Sequence, residues 1–334
     1  MPTDPDSFNY TKRARFFAKK VALAGGASLV GRAKKWCSCT PKNCGLSDFP
    51  GVSPEALSHV NKSRLDPRIV FASPGVLTAE PSLTGYYRCI STLPHKGMSK
   101  LSGTTYKRVE EGGGAYSFQN EKSATNFCRE VNKVISEVML TLQPIEITEA
   151  FIAEIVSASL GVTYDGSWRN QIGQDGEILV KKIVLTYFKS TDAESKCYFK
   201  GKPRPTPAGK VASDIAGKIC SISTADESFN VKFSSEPDVS IYKYGMLVGV
   251  IEVKAGTDPA GLYERHGAMI KSFHEVKRNH PDALTLLITS IVNDEIRTRH
   301  ASEEIPFLLI GDLEKDPKPV FNFLNKCAAL KHKE

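Results

Sequence analysis

The chain has 334 residues, of which 41% are apolar and 24% charged. Those proportions exclude collagen, a coiled coil and wholesale disorder, and the length suits two domains or one large domain with an appendage. The +7 net charge is concentrated in residues 1–50, which carry nine Lys/Arg against three acids, and this basic head suits a polyanion, an anionic membrane surface or a purely solubilising role.

Lys12 to Lys20 followed by Val21–Ala27 loosely imitates a secretory signal, but the apolar stretch is diluted by glycine and Lys34-Lys35 stand where a cleavage site would fall. An acid-poor transit peptide is the other targeting reading. We expect instead the helical basic start of a cytoplasmic protein. No run of 18 apolar residues occurs, so no transmembrane helix is expected. Eight scattered cysteines read as reduced thiols rather than a disulfide framework. Cys37, Cys39 and Cys44, with Cys89 or His59 as a fourth ligand, form a conceivable zinc knuckle, although C-x-C is tighter than the usual C-x2–4-C pair.

Dense Gly/Pro/Ser punctuation from Lys42 to Pro94 reads as a loop-rich region extending to about residue 115. The apolar spacing of Phe127, Val131, Val134, Ile135, Val138 and Met139 predicts a helix over 126–142. Thr148 is placed to cap a second helix, with Phe151, Ile152, Ile155, Val156 and Leu160 on one side and Gly161 as its stop. Ile178 to Phe188 reads as β, and 199–210, with three prolines and four basic residues, as an exposed basic loop. Val239–Tyr244 and Leu247–Val253 are strands about a turn at Gly245. A helix over 261–278, strands at 283–292 and 307–310, and a helix over 320–330 follow. This order implies an α/β fold, a mixed sheet flanked by helices.

The chemistry concentrates in Pro237-Asp238 and in the run Leu247–Lys254. That strand is too apolar for a surface, yet it delivers Glu252 and Lys254 two residues apart on one face. Burying such charges costs several kcal/mol unless they are paired or bind a metal. Asp238 opens the neighbouring strand and, with strands about 4.8 Å apart, meets Glu252 if register and bend allow. Two converging carboxylates suit Mg²⁺, and a neighbouring lysine can orient an attacking water or stabilise charge on phosphorus.

Pro-Asp, thirteen intervening residues and Glu-x-Lys on an apolar strand resemble the signature of the PD-(D/E)XK nuclease superfamily. The resemblance covers roughly 145–295 and implies a restriction-endonuclease-like core of helix, three-stranded meander, crossover helix and fourth strand. Length, basic head and the run from Lys254 through Gly261 to Ala268 look most like a type II restriction endonuclease. The resemblance implies a sequence-specific endodeoxyribonuclease acting on double-stranded DNA with Mg²⁺, Asp238 and Glu252 as metal ligands and Lys254 as the residue that orients water. It further implies 5′-phosphate and 3′-hydroxyl ends, a homodimer, and a DNA methyltransferase in the same system. Many members add a helix carboxylate, for which Glu154 and Glu149 are candidates and Glu177 a further one.

Residues 1–120 would then be a DNA-recognition region and 121–334 the catalytic domain. Lys200, Lys202, Arg204 and Arg265 are candidates for DNA contact. His266 reads chiefly as a helix-surface residue and Asp258-Pro259 as a helix start. Trp36 and Tyr86-Tyr87-Arg88 read chiefly as core packing, with base stacking the alternative. The rival readings are a repair or recombination nuclease on the same core and a non-catalytic DNA-binding protein.

Overall fold

The computed structural model describes residues 5–24, 26–38, 46–112, 115–192, 194–202, 204–256, 262–290 and 305–330. The chain divides into two compact units: Tyr10–Ser167, and Trp168–Glu334 together with Met1–Asn9. The expected boundary near residue 120 therefore falls inside the first unit.

The first unit is helical rather than loop-rich. It contains α1 (Pro5–Ala24) in large part, α2 (Gly26–Ser38), six short helices and α9 (Glu121–Leu140). The short helices are α3 (Pro54–Lys62), α4 (Pro67–Val70), α5 (Pro74–Ala79), α6 (Thr84–Ile90), α7 (His95–Ser102) and α8 (Thr105–Glu111). The Ser/Pro punctuation that suggests loops marks helix starts. Ser53, Asp66 and Ser73 each accept a backbone N–H through their side chains, and each is followed by a proline in the first turn. The apolar face of α9 is buried as its spacing predicts, through Phe127, Val131, Ile135 and Met139. Tyr86 and Tyr87 are fully buried and donate to Ile69 O and Arg68 O, so they are core residues.

Helix α10 (Glu149–Thr191) is a single element of 43 residues, running past Gly161 and through the segment read as β. Its start matches expectation, with Thr148 Oγ1 accepting from Phe151 N. The buried residues Val180, Ile183, Val184, Tyr187 and Phe188 follow a three-and-four spacing, so the helical period overrides the strand preference of their β-branched and aromatic side chains. Gly161 meets no other atom within 4 Å of a Cβ built on it and does not adopt a positive φ. Nothing there stops the helix.

The second unit is built on a sheet with eight described strands: β1 (Lys196–Phe199), β2 (Thr206–Pro207), β3 (Ile219–Ser223), β4 (Phe229–Phe233), β5 (Val239–Lys243), β6 (Met246–Lys254), β7 (Leu284–Thr289) and β8 (Phe307–Leu309). Their order is β2-β1-β3-β4-β5-β6-β7-β8, antiparallel as far as β6 and parallel from β6 to β8. Between β6 and β7 lies α11 (Leu262–Asn279), and α12 (Ile310–Leu313) and α13 (Lys318–Ala329) follow β8. The expected basic loop at 199–210 contributes the short edge strand β2.

One sheet face packs against α10 and α13 through residues such as Val184, Ile251, Ile288 and Leu324. The other packs against α11 through Val250, Leu287, Met269 and Phe273. The result is the mixed sheet flanked by helices that the order of elements implies. Among the described residues, no helix is long and apolar enough to cross a membrane.

Continuity of α10 makes a stability prediction. Because Gly161 lies inside a helix with open space around it, Gly161→Ala should stabilise the protein by about 0.5–1 kcal/mol. A higher denaturant midpoint is the expected result, and a lower one would indicate that the helix ends there.

Candidate active site

The β5–β6 hairpin closes through Tyr244 and Gly245, both at positive φ, as a two-residue primed turn requires. Lys243 pairs with Met246 and Tyr242 with Leu247, but Ile241 pairs with Gly249, leaving Val248 as an extra residue. This bulge sets the chemistry. It shifts the register so that Val239 faces Ile251 and places Asp238, just before β5, opposite Glu252. Without it Asp238 would oppose Ile251, whose side chain packs on the α10 face.

Glu252 and Lys254 share the α11 face with Val250, as strand alternation dictates. The Lys254 ammonium lies 2.5 Å from Glu252 Oε2 and 3.3 Å from Asp238 Oδ2, bridging the two carboxylates. Asp238 Oδ2 also accepts from Val253 N at 2.7 Å, and Glu252 Oε1 accepts from Ser272 Oγ of α11 at 3.0 Å. The Glu252 side chain is 5% exposed, Asp238 12% and Lys254 27%, so Lys254 is the least buried of the three.

Burial pushes the Glu252 carboxyl pKa above its ordinary value; the Asp238 charge adds to the rise and Lys254 opposes it. Burial works against the Lys254 charge, but contact with Glu252 and Asp238 outweighs it and leaves the ammonium pKa raised. The two carboxylates thus hold Lys254 charged, while Lys254 only partly offsets the burial of Glu252. At the C-terminal end of β6, Thr289 Oγ1 and Ser290 N donate to Lys254 O, tying that end to β7.

Of the three helix carboxylates considered, Glu177 approaches this centre. Burial raises its pKa first and the Asp238 carboxylate second, while Lys181 and Lys254 lower it. The preceding residue explains the approach. A Cβ on Gly176 would lie 2.4 Å from Ala255 Cβ, so α10 meets the end of β6 at a point that admits only glycine. Glu149 and Glu154 belong to the other compact unit, where Glu149 pairs with Lys34 at 2.7 Å. The signal that identifies Glu177 is the helical spacing of the buried residues from Val180 onward, with a small residue one place before it.

The other sequence candidates divide. Lys200, Lys202 and Arg204 are exposed. His266 is buried, 5% exposed, and not on the helix surface as expected. The Arg265 side chain, Asp258-Pro259, Cys39 and Cys44 lie outside the described residues. Cys37 is buried, and His59 Nε2 is bonded to Leu142 O at 2.7 Å. Among the described residues, no three His, Cys, Asp or Glu side chains converge as a metal cluster. Asp238 and Glu252 still fit a hard cation, since Mg²⁺ commonly takes one or two carboxylates and completes its shell with water and phosphate.

A family model described as XcyI restriction endonuclease matches residues 45–321. The type II restriction enzyme XcyI of Xanthomonas campestris pv. cyanopsidis is 25% identical over 68% of this chain and 65% of its own length. The type II restriction enzyme Cfr9I of Citrobacter freundii is 24% identical over 70% of this chain and 69% of its own. The match thus spans just under two thirds of the first relative.

Substitution at Gly176 tests the approach of α10. Gly176→Ala should destabilise by about 1–3 kcal/mol, because the new methyl group overpacks against Ala255. Its thermal midpoint should fall while that of Gly161→Ala rises. A neutral Gly176→Ala would show that the helix has room to retreat.

Proposed function

The chain belongs to the XcyI restriction endonuclease family, and on that premise we propose that it is a Mg²⁺-dependent, sequence-specific endodeoxyribonuclease that cuts double-stranded DNA. The observation that carries this reading is a single ammonium, Lys254, in contact with two carboxylates at the end of a buried strand. Such a cluster serves stability poorly, because a buried charge is costly unless something specific compensates it. It serves phosphodiester hydrolysis well.

Asp238 and Glu252 would hold the divalent ion through their carboxylate oxygens. When bound, that ion supplies positive charge against the negative charge that develops on the phosphate. The chain's own groups do the positioning. Val253 N fixes Asp238 and Ser272 Oγ fixes Glu252, so both carboxylates are oriented before substrate arrives. Lys254, the most exposed of the three, donates to a phosphate oxygen or to the attacking water. Glu177, whose carboxylate interacts with that of Asp238, would add a further acid at the edge of the ion site. In-line attack leaves a 5′-phosphate and a 3′-hydroxyl.

A two-fold dimer would read a two-fold site, and a methyltransferase of the same specificity would protect host DNA. Invading and host DNA meet in the cytoplasm, which is where such a pair of activities would operate.

Purified protein incubated with phage DNA should yield discrete, reproducible fragments with Mg²⁺ and none with chelator. Random nicking, or cleavage only at junctions, would favour the repair or recombination reading. Asp238→Asn and Lys254→Ala should each cut at least about a hundredfold more slowly while still binding DNA. Normal cutting by either variant would remove that residue from the catalytic centre.

A further inference from the structure

A second feature of the sheet unit has no part in the mechanism above. A cavity of about 520 Å³ opens between α10, β1 and the turn before β3, walled by Lys181, Lys200, Lys202 and Lys218. That volume is the size of a nucleotide site rather than of a single small ion. Its apolar lining includes Phe199, Ile215, Ile219 and Phe233. Among the described residues, no carboxylate lines it and none of the four lysines makes an ion pair.

The lysines are held in different ways. Lys181 Nζ donates to Gly217 O at 3.2 Å and Ile219 O at 3.1 Å and lies over the Phe233 ring at 5.2 Å, which fixes one wall. Lys202 Nζ lies 4.9 Å from the centre of the Phe199 ring. Lys200 and Lys218 are exposed. Four lysines around one hollow make it a site of positive potential that an anion entering it would relieve.

The position of the cavity identifies the anion. Phe233 pairs with Val239, the residue next to Asp238. Lys181 lies one turn beyond Glu177 on α10, and the two side chains interact electrostatically. The Phe233–Val239–Ile251 register thus puts the cavity toward the same end of the sheet as Lys254.

We propose that this cavity seats the sugar–phosphate backbone of the substrate strand beside the scissile bond. Lys200, Lys202 and Lys218 bind its phosphates, and the half-buried Phe233 offers apolar surface beside them. Lysine ammonium groups are point charges without the fork geometry that reads bases, so the clamp is independent of sequence. This inference rests on the endonuclease reading, which places the scissile phosphate at Lys254.

The cavity carries its own probe, since Cys220 lines it and is exposed. The full-length protein is alkylated with N-ethylmaleimide without divalent ion, with and without saturating duplex DNA, and Cys220 modification is followed by peptide mass mapping. DNA should slow alkylation of Cys220 at least tenfold. An unchanged rate in a complex shown by anisotropy to be saturated would overturn the proposal. Equal protection by millimolar deoxynucleoside monophosphate would also overturn it, in favour of a small-ligand site.

A second measurement uses the Lys200→Gln, Lys202→Gln, Lys218→Gln triple variant. Its DNA affinity should fall tenfold or more, and the slope of log affinity against log salt should drop by about 2–3, near 0.9 per lost phosphate contact. The mapped cut positions should not change; a changed cut sequence, or an unchanged salt slope, refutes a backbone clamp. The two readings fail separately. Wild type that cuts discretely while the triple variant binds normally overturns the clamp alone. Wild type that never cuts, yet protects Cys220 and shows the lowered slope in the triple variant, overturns the nuclease reading alone.

Discussion

A carboxylate buried to 5% exposure at the end of a hydrophobic strand is the constraint on which the rest of the sheet unit depends. Glu252 cannot keep its charge there without a cation, and Lys254 supplies one at 2.5 Å. The same ammonium reaches Asp238, so three side chains share two negative charges and one positive. An uncompensated buried charge is strongly destabilising, whereas a net-negative cluster open on one side has an affinity for cations built into it. The hairpin bulge, the cap of β6 by β7 and the Ser272 hydroxyl each hold one part of that cluster still. Their common effect is to leave a negative centre that further positive charge, rather than rearrangement, can relieve.

The sheet topology places this centre. Strands β6 and β7 are the first parallel pair, and α11 crosses between them. The carboxyl ends of parallel strands open into a crevice where chain direction changes, which is where ligands commonly bind in open mixed sheets. Antiparallel pairing on the other side of β6 contributes Asp238 from the start of β5, so the centre draws one acid from each side of the junction. Helix α10 adds Glu177 through the contact that Gly176 permits. Local chain chemistry and long-range pairing therefore meet within a few residues of Ala255.

Much of this is legible in the residues alone. The hairpin, the crossover helix, β7 and the terminal helix all lie close to where periodicity puts them, because each is a short element whose apolar pattern has one interpretation. Asp238 and Glu252 are visible as partners, but their register is not. It turns on one extra residue at Val248, which no local pattern announces. Sequence and structure differ most at Ile178–Phe188. The β-branched and aromatic content of that segment favours a strand, yet the spacing of its buried side chains is helical, and tertiary burial decides between them. A helix that stops at Gly161 offers only Glu149 and Glu154 to the centre; a helix that continues to Thr191 offers Glu177. In the first unit, Ser-Pro and Asp-Pro pairs look like loop punctuation, but they are helix caps.

Counting basic residues also points to a different place from the structure. The first fifty residues hold most of the net charge, yet several cations in that unit are engaged. Arg13 pairs with Asp165 and Lys34 with Glu149. Arg88 is buried against Glu110: burial opposes its charge, and the carboxylate more than offsets that opposition. Arg68, equally buried, pairs with Asp66 at 2.6 Å. Arg68 and Arg88 are thus buried within the fold of that unit and not presented at its surface. The four lysines of the sheet-unit cavity contribute less to a sequence average, but no carboxylate among the described residues lines that cavity. A polyanion responds to local potential, which depends on which charges are paired and not on how many a segment contains.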